Sequence, residues 1–246
     1  MGGRQLKKKV FDLLHNTDFE KDILNISGFS ARAVVNPLFS FFYNSDELIK
    51  WRAVTAMGVV VQDLADHDLE SARVVMRRLL WNLNDESGGI GWGSPEAMGE
   101  ITARHEGLAK EYHHILLSYI VPDANYIEHE ILQRGVLWGI GRLAHARSHF
   151  VKNSIHLLCP YLKSPDPALR GLAAWTAGLF DCQATDRFLK RLESDPATFT
   201  FYLEGTLETL TVAQLFKKSF NPANKLPGTS HLRNLCLDVS TRLKRR

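Results

Sequence analysis

The stretch LRGLAAWTAGLF, residues 169–180, decides the fold, because three other segments align with it without gaps. They are IKWRAVTAMGVV (49–60), IGWGSPEAMGEI (90–101) and LQRGVLWGIGRL (132–143), spaced about 40 residues apart, a period typical of helical repeats. Each has small residues in its middle and a glycine at the equivalent position: Gly58, Gly99, Gly141 and Gly178. Small residues let neighbouring helices approach closely, as stacked helix pairs require. A weaker fifth copy, LEGTLETLTVAQ (203–214), lacks the glycine.

The remaining sequence is also predominantly helical in pattern. Apolar residues recur at helical spacing in two clear stripes, Leu6–Leu14 and Leu108–Tyr119, and strand signals are scarce. We therefore predict an all-α fold, an α-solenoid of about five helix pairs, with the chain forming a single domain over residues 1–246. The repeats are expected at about 34–219, after cap helices within 4–30. A final helix at about 231–244 is expected after a linker at 221–230.

The four aligned segments resemble the HEAT repeat, in particular the bacterial subtype named after phycobilisome lyases. LRGLAAWTAGLF is the best match to the second helix of that repeat, and the resemblance covers about residues 34–219. It implies a superhelix, also described as armadillo-type, whose second helices line the concave inner surface. It implies no single activity, because the family includes scaffolds, lyases, hydroxylases and DNA-repair enzymes.

Composition narrows the class of protein further. The net charge is only +3, and clustered basic residues occur only at the two ends, at Arg4 with Lys7–Lys9 and at Lys244–Arg246. This balance disfavours nucleic acid as the main partner. Three scattered cysteines argue against a disulfide framework and favour a reducing, cytoplasmic location. No signal peptide or membrane span is predicted.

A glycine-rich stretch, SGGIGWGSPEAMGEI (87–101), raises the question of a phosphate-binding loop. A helix is predicted before it, whereas a Rossmann loop follows a strand, and the Gly-Lys-Ser/Thr of a Walker loop is absent. Acidic neighbours would also repel an anion. The segment is either a long turn or a loop that contacts a ligand or partner; its candidate residues are Asn84, Asp85, Glu86, Gly89 and Gly91.

The alignment also places a column of aromatic and charged residues on one helix face, where successive members lie one turn apart. We call these residues the inner-face column: Trp51, Trp92, Glu96, Glu100, Arg134, Trp138, Arg142 and Trp175. One interpretation is structural, with tryptophans filling gaps between repeats and the glutamates paired with the arginines. The other is that partly exposed Trp and Arg bind a protein or peptide, since both are enriched in binding hot spots. We favour the second.

Some of the same residues, and several histidines, also allow enzymatic interpretations. HEAT-like DNA glycosylases use aromatic residues and a carboxylate on the concave face, which Trp92 with Glu96, and Trp138 with Arg142, could imitate. The inner face lacks the many lysines and arginines that phosphate contacts need, and Glu96 and Glu100 would repel DNA. Deoxyhypusine hydroxylase holds iron with repeated His-Glu pairs, but His105-Glu106 and His129-Glu130 are not at equivalent repeat positions. One Glu111-x-x-His114 motif is a weak metal signal. Bilin-lyase-like activity stays open as an implication of the resemblance.

The sequence therefore predicts a non-catalytic scaffold that binds an unknown protein or peptide through the inner-face column and the 84–94 loop. No catalytic residue, metal ligand or cofactor is predicted. Nucleic acid is disfavoured as a partner, and no membrane association is expected.

Overall fold

The computed structural model describes residues 2–84 and 91–220. It contains eleven α-helices in these ranges and one β-hairpin. The helices are α1 Gly3–His15, α2 Phe19–Asp22, α3 Ala31–Phe41, α4 Glu47–His67, α5 Leu69–Asn84, α6 Ser94–Arg104, α7 Glu106–Ser118, α8 Glu130–Ala146, α9 Pro167–Ala177, α10 Gln183–Leu192 and α11 Val212–Phe220. The strands are β1 Thr198–Leu203 and β2 Thr206–Thr211. Short 3-10 helices lie at Ile23–Gly28, Ser148–Phe150, Lys152–Leu158 and Tyr161–Lys163.

The helices form the α-solenoid that the repeats predict. Helices α4, α6, α8, α9 and α11 pack against one another in succession and make up an inner layer. Helices α3, α5, α7 and α10 pack beside them as an outer layer. In the fourth repeat the outer helix is replaced by the 3-10 turns between residues 148 and 163. The apolar core runs along the whole stack and is continuous from Leu6 to Phe216.

The repeated glycines make the close packing of the inner layer possible. A Cβ atom on Gly99 would lie 2.2 Å from the Cα of Gly139, so α6 and α8 touch through their backbones. A Cβ on Gly58 would lie 2.5 Å from the Cγ of Glu100, and one on Gly141 would lie 2.4 Å from Cζ3 of Trp175. Each of these separations is far shorter than van der Waals contact, so each site requires glycine. The small-residue pattern thus predicted helix contacts correctly.

The fifth copy is where the structure differs from the sequence prediction. Residues 198–211 form an antiparallel hairpin, and the fifth inner helix, α11, begins only at Val212. The sequences TFTFYL and TLETLT are rich in β-branched and aromatic residues, which favour strands. Glu204 and Gly205, with φ of 49° and 76°, form the two-residue turn between them. These local preferences outweigh the weak helical-repeat similarity of 203–214.

Several predictions fall outside the described residues. They are the linker at 221–230, the helix at about 231–244, the basic cluster Lys244–Arg246, Cys236, and the loop residues Asp85, Glu86 and Gly89. In the described ranges, Cys159 and Cys182 are free thiols. No helix there is long and apolar enough to cross a bilayer.

Candidate functional site: the inner face and its hairpin

The inner-face column lies on the inner layer, as predicted, but most of it is buried. Trp138, Trp175 and Glu100 are each 3% exposed, Glu96 is 4% exposed and Arg142 is 8% exposed. The prediction that these five side chains are accessible is wrong, because other parts of the chain cover them. Trp51, Trp92 and Arg134 remain half-buried.

The β-hairpin covers the inner face, with β1 held directly by the column. The indole N–H of Trp138 donates a hydrogen bond to the carbonyl oxygen of Tyr202 over 3.1 Å. The Tyr202 ring stacks on Trp51 with centroids 5.0 Å apart, and its hydroxyl oxygen lies 2.8 Å from that of Thr55. On the other face of β1, Phe201 packs edge-on against Trp175, with centroids 5.0 Å apart. The column therefore does recognise an extended segment, and that segment belongs to the chain itself.

The tip of the hairpin reaches the first repeat. Arg52 of α4 is buried and donates from Nε to the carbonyl oxygen of Gly205 over 3.0 Å. Its Nη1 donates to the carbonyl oxygens of Leu14 and Asn16, at 2.9 and 2.8 Å. One guanidinium group thereby joins the hairpin tip to the end of α1 and compensates its own burial with three carbonyl acceptors.

A buried ion-pair network lies next to the hairpin. Glu100 accepts from Nε of Arg142 at 2.6 Å and from Nε of Arg104 at 2.5 Å. Burial alone would raise the pKa of Glu100, but the two guanidinium groups outweigh burial and hold the pKa below its ordinary value. Gly58 provides the space for this carboxylate. The pairing of Glu100 with Arg142 agrees with the structural interpretation of the column, which the sequence analysis did not favour.

Glu96 has a different environment from Glu100. Its carboxyl group is buried against Gly135 of α8, and its Oε2 has no hydrogen-bond partner, nor do the nearby Nε1 of Trp92 and Oγ of Ser94. Burial raises the pKa of Glu96, and the positive charge of Lys50 opposes this rise only in part. Glu96 forms no ion pair with Arg134, which instead pairs with Asp166 at 2.7 Å. Buried polar atoms without hydrogen-bond partners destabilise the folded state, so these three atoms lower the stability of the protein.

The described part of the glycine-rich stretch serves packing. Gly93 has φ of 76°, and a Cβ there would lie 2.7 Å from Cγ of Phe42. Gly91 is buried between α5 and α8, next to Leu83 and Leu132. Asn84, the last residue of α5, is exposed. The left-handed backbone conformation at Gly93 requires glycine there, so this glycine needs no bound ligand to account for it.

His105 and His113 use ring nitrogens in contacts with the backbone, and the His113 ring lies 5.7 Å from that of His114, the histidine of the Glu111-x-x-His114 motif. His105 caps α7 by accepting from the backbone N–H of Leu108 at 3.0 Å, and His113 contacts the carbonyl oxygen of Ala109. No group of three or more His, Cys, Asp or Glu within the described ranges could hold a metal ion.

The outer edge of β2 is the feature of this site that sequence reasoning missed. A two-residue turn makes Leu203 and Thr206 a hydrogen-bonded pair, and pairing alternates from there along the hairpin. The main-chain groups of Leu207 and Thr209 therefore point away from β1. The outward Tyr202 carbonyl, bound by Trp138, fits this alternation on the other strand. Leu207 and Thr209 have no hydrogen bond on this edge from the described part of the chain, and Thr209 is exposed.

One further residue escaped the sequence analysis. Trp81 on α5 is the fifth tryptophan and lies outside the aligned segments. Its side chain is 74% exposed, the highest exposure among the large apolar residues of the described ranges. Its position between repeat segments gave no signal of this exposure.

Comparisons with known proteins identify no family for this chain. No protein-family model matches it. A protein of Archaeoglobus fulgidus, itself described only as uncharacterized, is 32% identical over 111 residues; the match covers 44% of this chain. The chain spans about half the length of that relative, 52% of it.

Solved structures of designed repeat proteins are similar at a low level. A designed armadillo repeat protein in complex with the peptide (KR)4 is 14% identical, with a TM-score of 0.46, over 87% of this chain and 98% of that one. A second designed armadillo repeat protein is 14% identical, with a TM-score of 0.45, over 87% of this chain and 99% of its own. Similarity this low assigns no function.

Proposed function

We propose that the protein is a non-catalytic scaffold with repeats of the HEAT type, and that it binds an extended segment of a partner protein. The segment adds as a third strand to β2, on the hairpin held over the inner face. The observation that carries the proposal is the outer edge of β2, where the main-chain groups of Leu207 and Thr209 have no hydrogen-bond partner among residues 2–84 and 91–220. Strand addition to such an edge is a common mode of peptide recognition.

The inner-face column supports this function by making the edge rigid. Trp51, Trp138 and Trp175 fix β1 through ring contacts and one hydrogen bond to its main chain. An isolated two-stranded hairpin is only marginally stable in water, so this support is what allows the edge to exist before a partner arrives. A pre-formed edge lowers the ordering cost of binding.

The edge offers main-chain hydrogen bonds together with some side-chain selectivity. Thr209 is exposed on it, and Glu208 pairs with Lys218 of α11 at 2.8 Å. Main-chain bonding gives affinity for extended segments in general, and neighbouring side chains select among them. The partly exposed column residues Trp92 and Arg134 are proposed as additional contacts. We place the protein in the cytoplasm as part of the same proposal.

The proposal is tested with Thr209→Pro, because proline removes an N–H that points away from β1 and leaves the β1–β2 ladder intact. Thr209→Ala is the matched control, since it keeps the N–H. Peptides selected from a displayed random library against the wild-type protein should bind Thr209→Pro about tenfold or more weakly, the effect of one lost hydrogen bond with added steric conflict. Thr209→Ala should bind them normally, and both variants should melt cooperatively.

A second readout locates the bound peptide. Amide exchange followed by NMR should show new protection at the N–H groups of Leu207 and Thr209 when peptide binds. Thr206 and Glu208, whose N–H groups already bond to β1, should change little. Equal binding by both variants, or protection confined to another surface, would show that the partner does not add to β2.

A further inference from the structure

A second surface with a distinct chemistry lies at the other end of the chain, between α1 and the end of α3. It is a groove of about 520 Å³ lined by α1 residues, the last turn of α3 and the turn that follows. We call it the α1–α3 groove; its lining residues are Arg4, Lys7, Lys8, Phe11, Ser40, Phe41, Tyr43, Asn44 and Ser45. It is separate from the hairpin and its β2 edge.

The groove is lined by one face of α1. Residues 4, 7, 8 and 11 follow the i, i+3, i+4, i+7 spacing of a single helix face. The opposite face of α1 buries Leu6, Val10 and Leu14 in the core. The cationic face is therefore fixed in orientation by the packing of the helix behind it.

The three cations of the α1–α3 groove form no ion pairs within the described part of the chain. Arg4, Lys7 and Lys8 are exposed, and none of them makes an ion pair with a carboxylate of the described chain. No carboxylate of the described residues lines the groove. Of the nearby acidic residues, Asp46 is engaged by the backbone N–H groups at the start of α4, and exposed Asp12 lies one helical turn beyond Lys8 without an ion pair to it. Three cations beside one carboxylate leave a net positive charge that attracts an anionic partner.

The aromatic residues of the groove favour an acidic polypeptide over a nucleic acid. The ring of Phe41 is covered by the ammonium group of Lys7, 5.4 Å from its centroid, and Phe11 stacks on His15 with centroids 5.8 Å apart. Nucleobases stack on free ring faces, and Lys7 and His15 each occupy one face of these two rings, which reduces the surface left for stacking. Phe11 and Tyr43 are still 36% and 48% exposed, so they offer apolar surface to a side chain.

We propose that the α1–α3 groove binds an acidic polypeptide segment that carries an apolar or aromatic side chain. The carboxylates of the segment pair with Arg4, Lys7 and Lys8, and its apolar side chain packs on Phe11 and Tyr43. This interaction is independent of strand addition to β2.

The test uses a fluorescein-labelled peptide, Glu-Glu-Leu-Phe-Glu-Glu, and fluorescence anisotropy with the full chain. The double variant Lys7→Glu/Lys8→Glu should bind it about tenfold more weakly than wild type, since two favourable charge contacts become unfavourable. Lys9→Glu/Lys190→Glu changes the net charge equally at exposed positions outside the groove and should bind as wild type does. Phe11→Ala should weaken binding without removing its salt dependence.

Two further probes complete the test. The same peptide with lysine in place of each glutamate should not bind. A short labelled oligothymidylate should bind more weakly than the acidic peptide at equal salt. The proposal is overturned if the oligothymidylate binds more tightly, if both double variants lose binding equally, or if wild type fails to bind the acidic peptide at about 1 mM, the weak end of specific association.

Discussion

Removal of the negative charge of Glu100 is the sharpest perturbation of this structure. Glu100→Gln preserves the shape of the side chain but removes the carboxylate that contacts the guanidinium groups of both Arg142 and Arg104, whose side chains are 9% and 10% exposed. Breaking a buried ion pair by removing one partner costs about 3–5 kcal/mol. The remaining amide oxygen can still accept one hydrogen bond, so we expect the lower part of that range.

Urea denaturation of wild type, Glu100→Gln, Arg142→Met and the double variant measures this cost as a cycle. The double variant should be more stable than the sum of the two single changes predicts, by about 1–3 kcal/mol, because removing Arg142 relieves part of the unpaired charge. A loss below about 1 kcal/mol for Glu100→Gln, or strict additivity, would show that the network is not buried in solution as it is here.

The contribution of Glu100 to the free energy of unfolding depends on pH. The folded-state pKa of Glu100 lies below its ordinary value of 4.5, so its stabilising effect is present above that value. The effect is lost as pH falls through the folded-state pKa and the carboxylate is protonated. The stability difference between wild type and Glu100→Gln should therefore be full at pH 7 and shrink in acid. A difference that stays constant would assign the loss to packing.

Two other changes have equally definite outcomes. The pKa of Glu96 is raised by burial, so its charged form opposes folding at neutral pH. Glu96→Gln should raise the free energy of unfolding at pH 7 by about 1–3 kcal/mol, and the gain should shrink as pH falls through the raised pKa. Urea titrations at several pH values measure this gain, and a lower stability of Glu96→Gln at pH 7 would contradict the prediction. Gly141→Ala should destabilise by about 1–3 kcal/mol, since its Cβ would overlap Trp175. Gly28→Ala, which meets no atom within 4 Å, should change the melting temperature little; equal effects would contradict the packing account.

The sequence was sufficient to predict the solenoid because its evidence is local and repeated. Gly58, Gly99, Gly141 and Gly178 mark the points where consecutive inner helices meet, and each such contact joins neighbours in the stack. The repeat interval alone therefore gave the order of the inner layer. The same alignment placed Trp51 and Trp138 correctly on the inner face.

The packing of the β-hairpin over the inner face was not predictable from the repeat pattern. Trp138 is buried because Tyr202, 64 residues away, lies on it, and no periodic pattern relates these two positions. The strand sequences themselves were readable, but the weak repeat similarity of 203–214 concealed them. Exposure is a property of such distant contacts, which explains why the helix face was predicted correctly and its accessibility was not.

The bond between Arg52 and Gly205 joins positions 153 residues apart and has a mechanical consequence. In an ordinary solenoid each repeat touches only its neighbours, so the array is elastic and can unfold from either end. Here the β-hairpin connects the last repeat to the first, so the two ends of the stack are held together. Insertion or deletion of a repeat would break this contact, and the high contact order should slow folding relative to an open array of the same length. The molecule should lose its structure as one unit.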